Sequence, residues 1–112
     1  MKEVRVVSIA GDLDLSRAGL MRDELRRGVG NDDIGLVADL SDTRYIDSAG
    51  VNMLFELAEE LGDRQLAFAV VVPEGGLVER VVTLVDLGSV AALHPTVDEA
   101  RRALGASADS KP

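Results

Sequence analysis

The chain contains no cysteine, and this absence excludes several classes of site. Without thiols it has no disulfide, no thiolate zinc site and no cysteine nucleophile, which agrees with a reducing cytosol. Basic residues are also few: twelve lysines and arginines stand against twenty aspartates and glutamates, so the formal net charge is −8. That balance does not provide a basic face for nucleic-acid phosphates, whereas an acidic surface suits a basic protein partner.

Aromatic residues and long apolar runs are scarce as well. The aromatic residues Tyr45, Phe55 and Phe68 provide no stacking platform for bases, so direct nucleic-acid binding is not expected. No apolar run approaches the roughly 20 residues of a membrane span, and the first residues lack the layout of a signal peptide. We therefore expect a cytoplasmic protein without membrane association. Its 112 residues suffice for one domain whose core needs no metal.

Apolar runs and helical periodicities alternate four times along the chain. We predict strands over residues 4–10, 34–40, 66–72 and 89–93, and helices over residues 16–29, 51–62, 74–87 and 96–104. Ser16 and Thr96 are the predicted N-caps of the first and last helices. The third helix has its apolar period at Leu77, Val78, Val81, Leu84 and Val85.

This alternation with short connections predicts an α/β fold in which right-handed crossovers join parallel strands. Partner and ligand sites in such sheets lie at the carboxyl ends of the strands. Asp14, Asp39 and Ser48 are all predicted to fall near such ends.

Between the second predicted strand and its helix lie Asp47, Ser48, Ala49 and Gly50. An Asp-Ser pair in this position has two interpretations. Either side chain can cap the first free N–H groups of the helix. Alternatively, the pair displays the Ser48 hydroxyl at the positive end of the helix dipole, where an anionic group is tolerated. Asp47 would then orient that hydroxyl or share the capping.

The same region resembles the STAS domain of bacterial anti-sigma factor antagonists. The likeness extends from about Val4 to Leu104 and rests on three motifs. The first is the strand end Asp39-Leu40, and the second is the aromatic-apolar pair Tyr45-Ile46 followed by Asp47-Ser48-Ala49-Gly50. The third is Gly11-Asp12-Leu13-Asp14. The likeness implies a STAS domain over residues 1–104, with a mixed central sheet of about four strands and about four helices. Residues 105–112 are predicted to form a flexible tail. The family's usual additional strand before the first one is expected to be missing or vestigial.

The resemblance also implies a function. Ser48 stands where the family carries its phosphorylated serine. Unphosphorylated proteins of this type bind an anti-sigma factor that is itself a serine kinase, and so release a sigma factor. The kinase uses its own ATP and Mg²⁺ to phosphorylate the serine, which ends binding, and a PP2C-type phosphatase restores it. The expected surroundings of the phosphorylated residue are Asp14, Asp39, Asp47, Ala49, Gly50 and Asn52.

Two of these residues have ordinary alternatives: Asp14 can simply shape its turn, and Asn52 can be a solvated helix residue. An STAS module that is not controlled by phosphorylation is also an alternative, either as a scaffold in a stress-sensing complex or as a transporter accessory. We expect a monomer or weak dimer.

Catalytic chemistry is not expected. His94 is the single histidine, so no histidine triad or metal pair is available. Gly75 and Gly76 lack the Lys-Ser/Thr continuation of a phosphate-binding loop. A receiver domain of a two-component system needs a lysine after its last strand, whereas Lys2 and Lys111 lie at the termini. The sequence therefore predicts no enzyme, no metal and no cofactor.

Overall fold

A computed structural model describes residues 2–109 of the chain. The strands are β1 (Val4–Ser8), β2 (Gly11–Leu13), β3 (Gly35–Asp39), β4 (Thr43–Ile46), β5 (Ala67–Val71) and β6 (Ala92–His94). The α-helices are α1 (Ala18–Arg27), α2 (Ser48–Asp63), α3 (Leu77–Leu84) and α4 (Val97–Asp109), and a single 3₁₀ turn covers Leu87–Ser89.

The main sheet has the strand order β1-β3-β5-β6, and all its pairs are parallel. The predicted α/β fold with four helices is thus confirmed. The expectation of a mixed sheet is wrong for the described residues. Each pair is joined by a helix-containing crossover, which returns the chain to the same end of the sheet.

A second, two-stranded sheet pairs β2 with β4, also in parallel. The first predicted strand corresponds to β1, which ends at Ser8, and β2 begins beyond the predicted range at Gly11, whose φ of +84° is a conformation that favours glycine. Strand β4 was not predicted. This small sheet sets Leu13 opposite Ile46, so the residues that follow, Asp14 and Asp47, emerge at the same edge.

The core lies on both faces of the main sheet. Strand β3 is buried on both sides, as is most of β5, which explains their nearly continuous apolar sequences. Helices α1, α2 and α3 cover one face together with the small sheet. Helix α4 covers the other, where Ala100 and Leu104 pack with Val37, Ala69 and Val71.

The bounds of all four helices differ from the predicted ones, and α2 begins at Ser48, before the predicted residue 51. Helix α1 begins after Arg17, and Ser16 does not cap it, because the Ser16 hydroxyl donates to Asp14. The Thr96 cap is confirmed, since its hydroxyl oxygen accepts a bond from the Glu99 N–H (3.2 Å). Helix α4 continues beyond Leu104 to Asp109, into the predicted tail, and residues 110–112 of that tail lie outside the described residues.

Helix α3 is shorter than predicted. Val78 and Val82 face the core, but Leu77, Leu84 and Val85 are exposed, with Leu84 at 83%. The apolar residues of this segment do recur with helical spacing, but the core covers only some of them, and the others face solvent. Across the described residues, every helix is too short or too polar to cross a membrane.

Candidate functional site

Asp47 is the N-cap of helix α2. Its backbone is extended, with φ −112° and ψ −172°, and its Oδ1 accepts bonds from the N–H groups of Ala49 (2.9 Å) and Gly50 (3.1 Å). The chain adopts this turn because the carboxylate satisfies N–H groups that have no partner inside the helix. Of the two side chains considered for capping, Asp47 therefore performs it.

Ser48 is consequently the first residue of the helix and is not occupied by capping. Its side chain is exposed, and the hydroxyl makes no hydrogen bond within the described part of the chain. Helix α2 extends over 16 residues, so its amino end carries a positive partial charge beside this hydroxyl. A negatively charged group on Ser48 would meet that charge and would face solvent.

The second carboxylate oxygen of Asp47 ties this helix end to the loop after β2. Asp47 Oδ2 accepts a bond from the Leu15 N–H (3.2 Å), and the Asp47 N–H donates to the Leu13 carbonyl (3.3 Å). The Asp47 carboxylate thus accepts hydrogen bonds from three N–H groups, two in the first turn of α2 and one in the loop after β2. Both oxygens are engaged in holding the backbone, which leaves the Ser48 hydroxyl without a carboxylate partner.

Gly50 allows the two segments to approach closely. A Cβ placed on Gly50 would overlap the Leu13 carbonyl oxygen, and it would lie 2.9 Å from Ile46 Cγ1. The glycine of the Asp-Ser-Ala-Gly sequence is therefore required by packing. Ala49, beside it, is half-buried and packs against the core.

Asp14 lies in the neighbouring loop and shapes the start of α1. Its Oδ1 accepts the Ser16 N–H (3.1 Å) and hydroxyl (2.6 Å), and its carbonyl oxygen accepts the N–H groups of Arg17 and Ala18. The hydrogen bond from the Ser16 hydroxyl lowers the pKa of Asp14 below its ordinary value, which keeps the carboxylate charged. No hydrogen bond joins this carboxylate to Ser48 among the described residues.

Asp39 belongs to a different set of contacts. It ends β3, where its Oδ2 accepts from the Ser8 hydroxyl (3.1 Å) and its Oδ1 from the Ser41 N–H (3.0 Å) and hydroxyl (2.5 Å). These bonds hold the turn that leads into β4. The structure therefore joins Asp47, Ala49 and Gly50 in one cluster, whereas the hydrogen bonds of Asp39 lead elsewhere. Asn52 is exposed one turn along α2.

The family model of the STAS domain matches residues 2–100. The chain belongs to the STAS domain family. It is 30% identical over 97 residues to the anti-sigma-F factor antagonist RsfB of Mycobacterium tuberculosis, which covers 87% of this chain and 78% of RsfB.

Solved structures share the fold. An anti-sigma factor antagonist from Mycobacterium paratuberculosis superposes with a TM-score of 0.82 at 30% identity, over 94% of this chain and 88% of that chain. A sulfate transporter family protein from Wolinella succinogenes superposes with a TM-score of 0.79 at 14% identity, over 96% and 88% of the two chains. At 14% identity this second likeness shows the fold alone.

Two features of this STAS domain were missed from the sequence. Leu15 and Tyr45 are exposed apolar residues, at 80% and 45%, in the loop that Asp47 holds and in the strand that leads to it. The sequence gives no signal for the exposure of Leu15, because single apolar residues are common on protein surfaces. The second missed feature is the role of Arg17. Its guanidinium donates to the Ala10 (2.8 Å) and Asp12 (2.6 Å) carbonyls and fixes the turn around Gly11.

The exposure of Ser48 makes a prediction about folding. We expect Ser48→Asp to leave the fold intact and to change the free energy of unfolding by less than about 1 kcal/mol, because attraction to the helix dipole and repulsion from Asp47 oppose each other. Thermal unfolding followed by circular dichroism measures this, with Asn52→Asp as a control for added charge alone. A melting temperature lower by many degrees in Ser48→Asp alone would show that the side chain is buried.

Proposed function

We propose that this STAS-domain protein is an anti-sigma factor antagonist and that phosphorylation of Ser48 switches its binding off. Two observations on relatives support the first part: proteins of that description are 30% identical to this chain over nearly its full length. The observation that carries the second part is the Ser48 hydroxyl itself. It stands exposed at the amino end of α2, while Asp47 does the capping.

This geometry suits a serine that a kinase modifies. The kinase reaches the hydroxyl without opening the fold, because the helix end is held by Asp47 and does not depend on Ser48. After transfer, the phosphate adds about −1.5 to −2 charges next to the positive end of the helix, where anions are favoured. Modification therefore changes the surface that a partner meets while the domain stays folded.

The proposed partner is an anti-sigma factor with serine kinase activity. The unphosphorylated protein binds it in the cytoplasm and so frees a sigma factor. The kinase brings its own ATP and Mg²⁺, transfers the phosphoryl group to Ser48 and releases the product, and a PP2C-type phosphatase resets the cycle. The chain supplies the acceptor hydroxyl, and we assign no catalytic residue to it.

Phosphate mapping tests this assignment. Incubated with its cognate anti-sigma kinase and ATP, the protein is expected to gain one phosphate, located on Ser48 by peptide mass spectrometry. Ser48→Ala should gain none. Ser16→Ala and Ser41→Ala are matched controls and should be modified like the parent, because both hydroxyls already donate to aspartates.

Phosphate found on Ser8, Ser16, Ser41 or Ser89 instead would contradict the assignment of the site. A protein that binds no anti-sigma kinase and gains no phosphate would contradict the function as a whole. That result would favour a STAS module acting as a scaffold or as a transporter accessory.

A further inference from the structure

Strand β1 forms one edge of the main sheet. It pairs with β3 on one side, and within residues 2–109 no strand pairs with its other side. Its sequence, Val-Arg-Val-Val-Ser, is rich in β-branched residues and has no proline that would block pairing. Val4, Val6 and Val7 are only partly buried. Such an edge presents unpaired backbone groups that another extended segment can bind.

The register identifies which groups are unpaired. In a parallel ladder, alternate residues direct their N–H and C=O groups to the same neighbour. The Ile9 N–H donates to the Asp39 carbonyl at the end of the ladder (2.9 Å), so the odd-numbered residues of this stretch face β3. The even-numbered residues Val4, Val6 and Ser8 consequently direct their backbone groups away from the sheet.

These three residues form a self-complementary set. If a second β1 runs antiparallel with Val6 opposite Val6, then Val4 lies opposite Ser8 at both ends. All three positions become hydrogen-bonded pairs, because each residue exchanges both its N–H and its C=O with the residue opposite. We propose that two copies of this protein associate through their β1 edges about a two-fold axis at Val6, which joins two four-stranded sheets into one of eight strands.

The side chains are compatible with this register. Arg5 would lie opposite Val7, and Lys2 and Glu3 opposite Ala10 and Ile9, so no two like charges face each other. The guanidinium of Arg5 is already held by Asp33 (3.1 Å) and Glu3 (3.5 Å) in its own copy. The partly exposed Val4 and Val6, which pack in the cluster on the α4 face, would gain apolar neighbours across the axis.

The association should be weak and dependent on salt. A five-residue edge buries less surface than a stable dimer needs, so dissociation constants of ~100 μM or more are expected. Each copy carries a formal charge of −8, and the resulting repulsion is screened by added salt. Raising the ionic strength should therefore strengthen this dimer. The proposal does not depend on Ser48 or on an anti-sigma factor.

Sedimentation equilibrium from ~10 μM to ~1 mM protein tests the proposal over the range expected for a small interface. We expect the mass of the parent protein to rise with concentration and to rise further with salt. Val6→Pro removes the outward N–H, which is a change that edge strands accept, and should weaken association at least ~10-fold. Val6→Ala keeps the N–H while it shortens the same side chain, so it should still associate.

Amide hydrogen exchange gives a second measurement that does not depend on the folding of the proline variant. In the parent protein, the N–H groups of Val4, Val6 and Ser8 should exchange more slowly at ~1 mM than at ~10 μM, because association covers them. A parent protein that remains monomeric at the highest concentration would overturn the proposal. So would concentration-dependent protection confined to another surface, such as the exposed face of α3.

Discussion

Ser48→Ala is expected to bind the cognate anti-sigma kinase as tightly as the unphosphorylated protein does, whereas Ser48→Asp is expected to bind it at least ~100-fold more weakly. The reason is electrostatic. A complex that closes over Ser48 must remove water from any charge placed there, or bring that charge close to the nucleotide phosphates of the kinase. Two like unit charges about 4 Å apart repel by ~4 kcal/mol at an effective dielectric constant of 20.

Isothermal titration calorimetry with ADP or ATP present measures both affinities. A loss of ~3 kcal/mol of binding free energy already exceeds a hundredfold change in the dissociation constant. Gln65→Glu is the matched control, because it adds the same charge to an exposed position beyond the carboxyl end of α2, away from Ser48. It should cost much less than Ser48→Asp. Equal affinities of Ser48→Ala and Ser48→Asp would defeat the switch, even if both variants bound well.

The strands that stand out most clearly in the sequence are those whose burial is almost complete. Strands β3 and β5 are covered by helices on both sides, so almost every residue must be apolar and the run stands out in the sequence. The turn at Asp47 was predictable for a related reason. Capping needs a short oxygen-bearing side chain directly before the helix, and this requirement is local to a few residues.

Strand β4 could not be predicted because its burial has no simple period. Thr43 and Ile46 are buried while Arg44 and Tyr45 between them are exposed, a pattern that fits neither a two-sided strand nor a helix. The Thr43 hydroxyl donates to the Ile9 carbonyl (2.5 Å), a contact between residues far apart in the chain. Such contacts leave no local signal.

Which of the site residues lie together could be predicted only in part, because this too depends on contacts between residues that are far apart in the chain. Asp39 ends β3 and Asp47 follows β4, and the resemblance to STAS domains placed both of them around Ser48. Asp39 belongs to a turn with Ser41 and to a bond with Ser8 in the neighbouring strand, whereas Asp47 is bound to the loop at Leu15. Asp39 lies in the main sheet, whereas Asp47 follows the small sheet, which was not predicted from the sequence.

Gly50→Ala is expected to destabilise the domain by ~2 kcal/mol and to lower the melting temperature by roughly 10 °C. Alanine is the better helix former by about 1 kcal/mol, so propensity alone predicts the opposite sign. Packing decides the outcome here. The new Cβ would overlap the Leu13 carbonyl oxygen and crowd Ile46 Cγ1 at 2.9 Å, and both neighbours belong to the paired ends of β2 and β4. Backbone of this kind does not yield at low cost.

Gly62→Ala is the matched control, since Gly62 lies in the same helix and a Cβ there meets nothing within 4 Å. It should raise the melting temperature slightly, because only the propensity of alanine acts. Thermal unfolding of the two variants separates packing from propensity. The pair also tests the site, because relief of the Gly50 clash must push the start of α2 away from Leu13 and strain the bonds through which Asp47 holds Leu15. Stabilisation by both substitutions would show that β2 and α2 do not approach as closely as described.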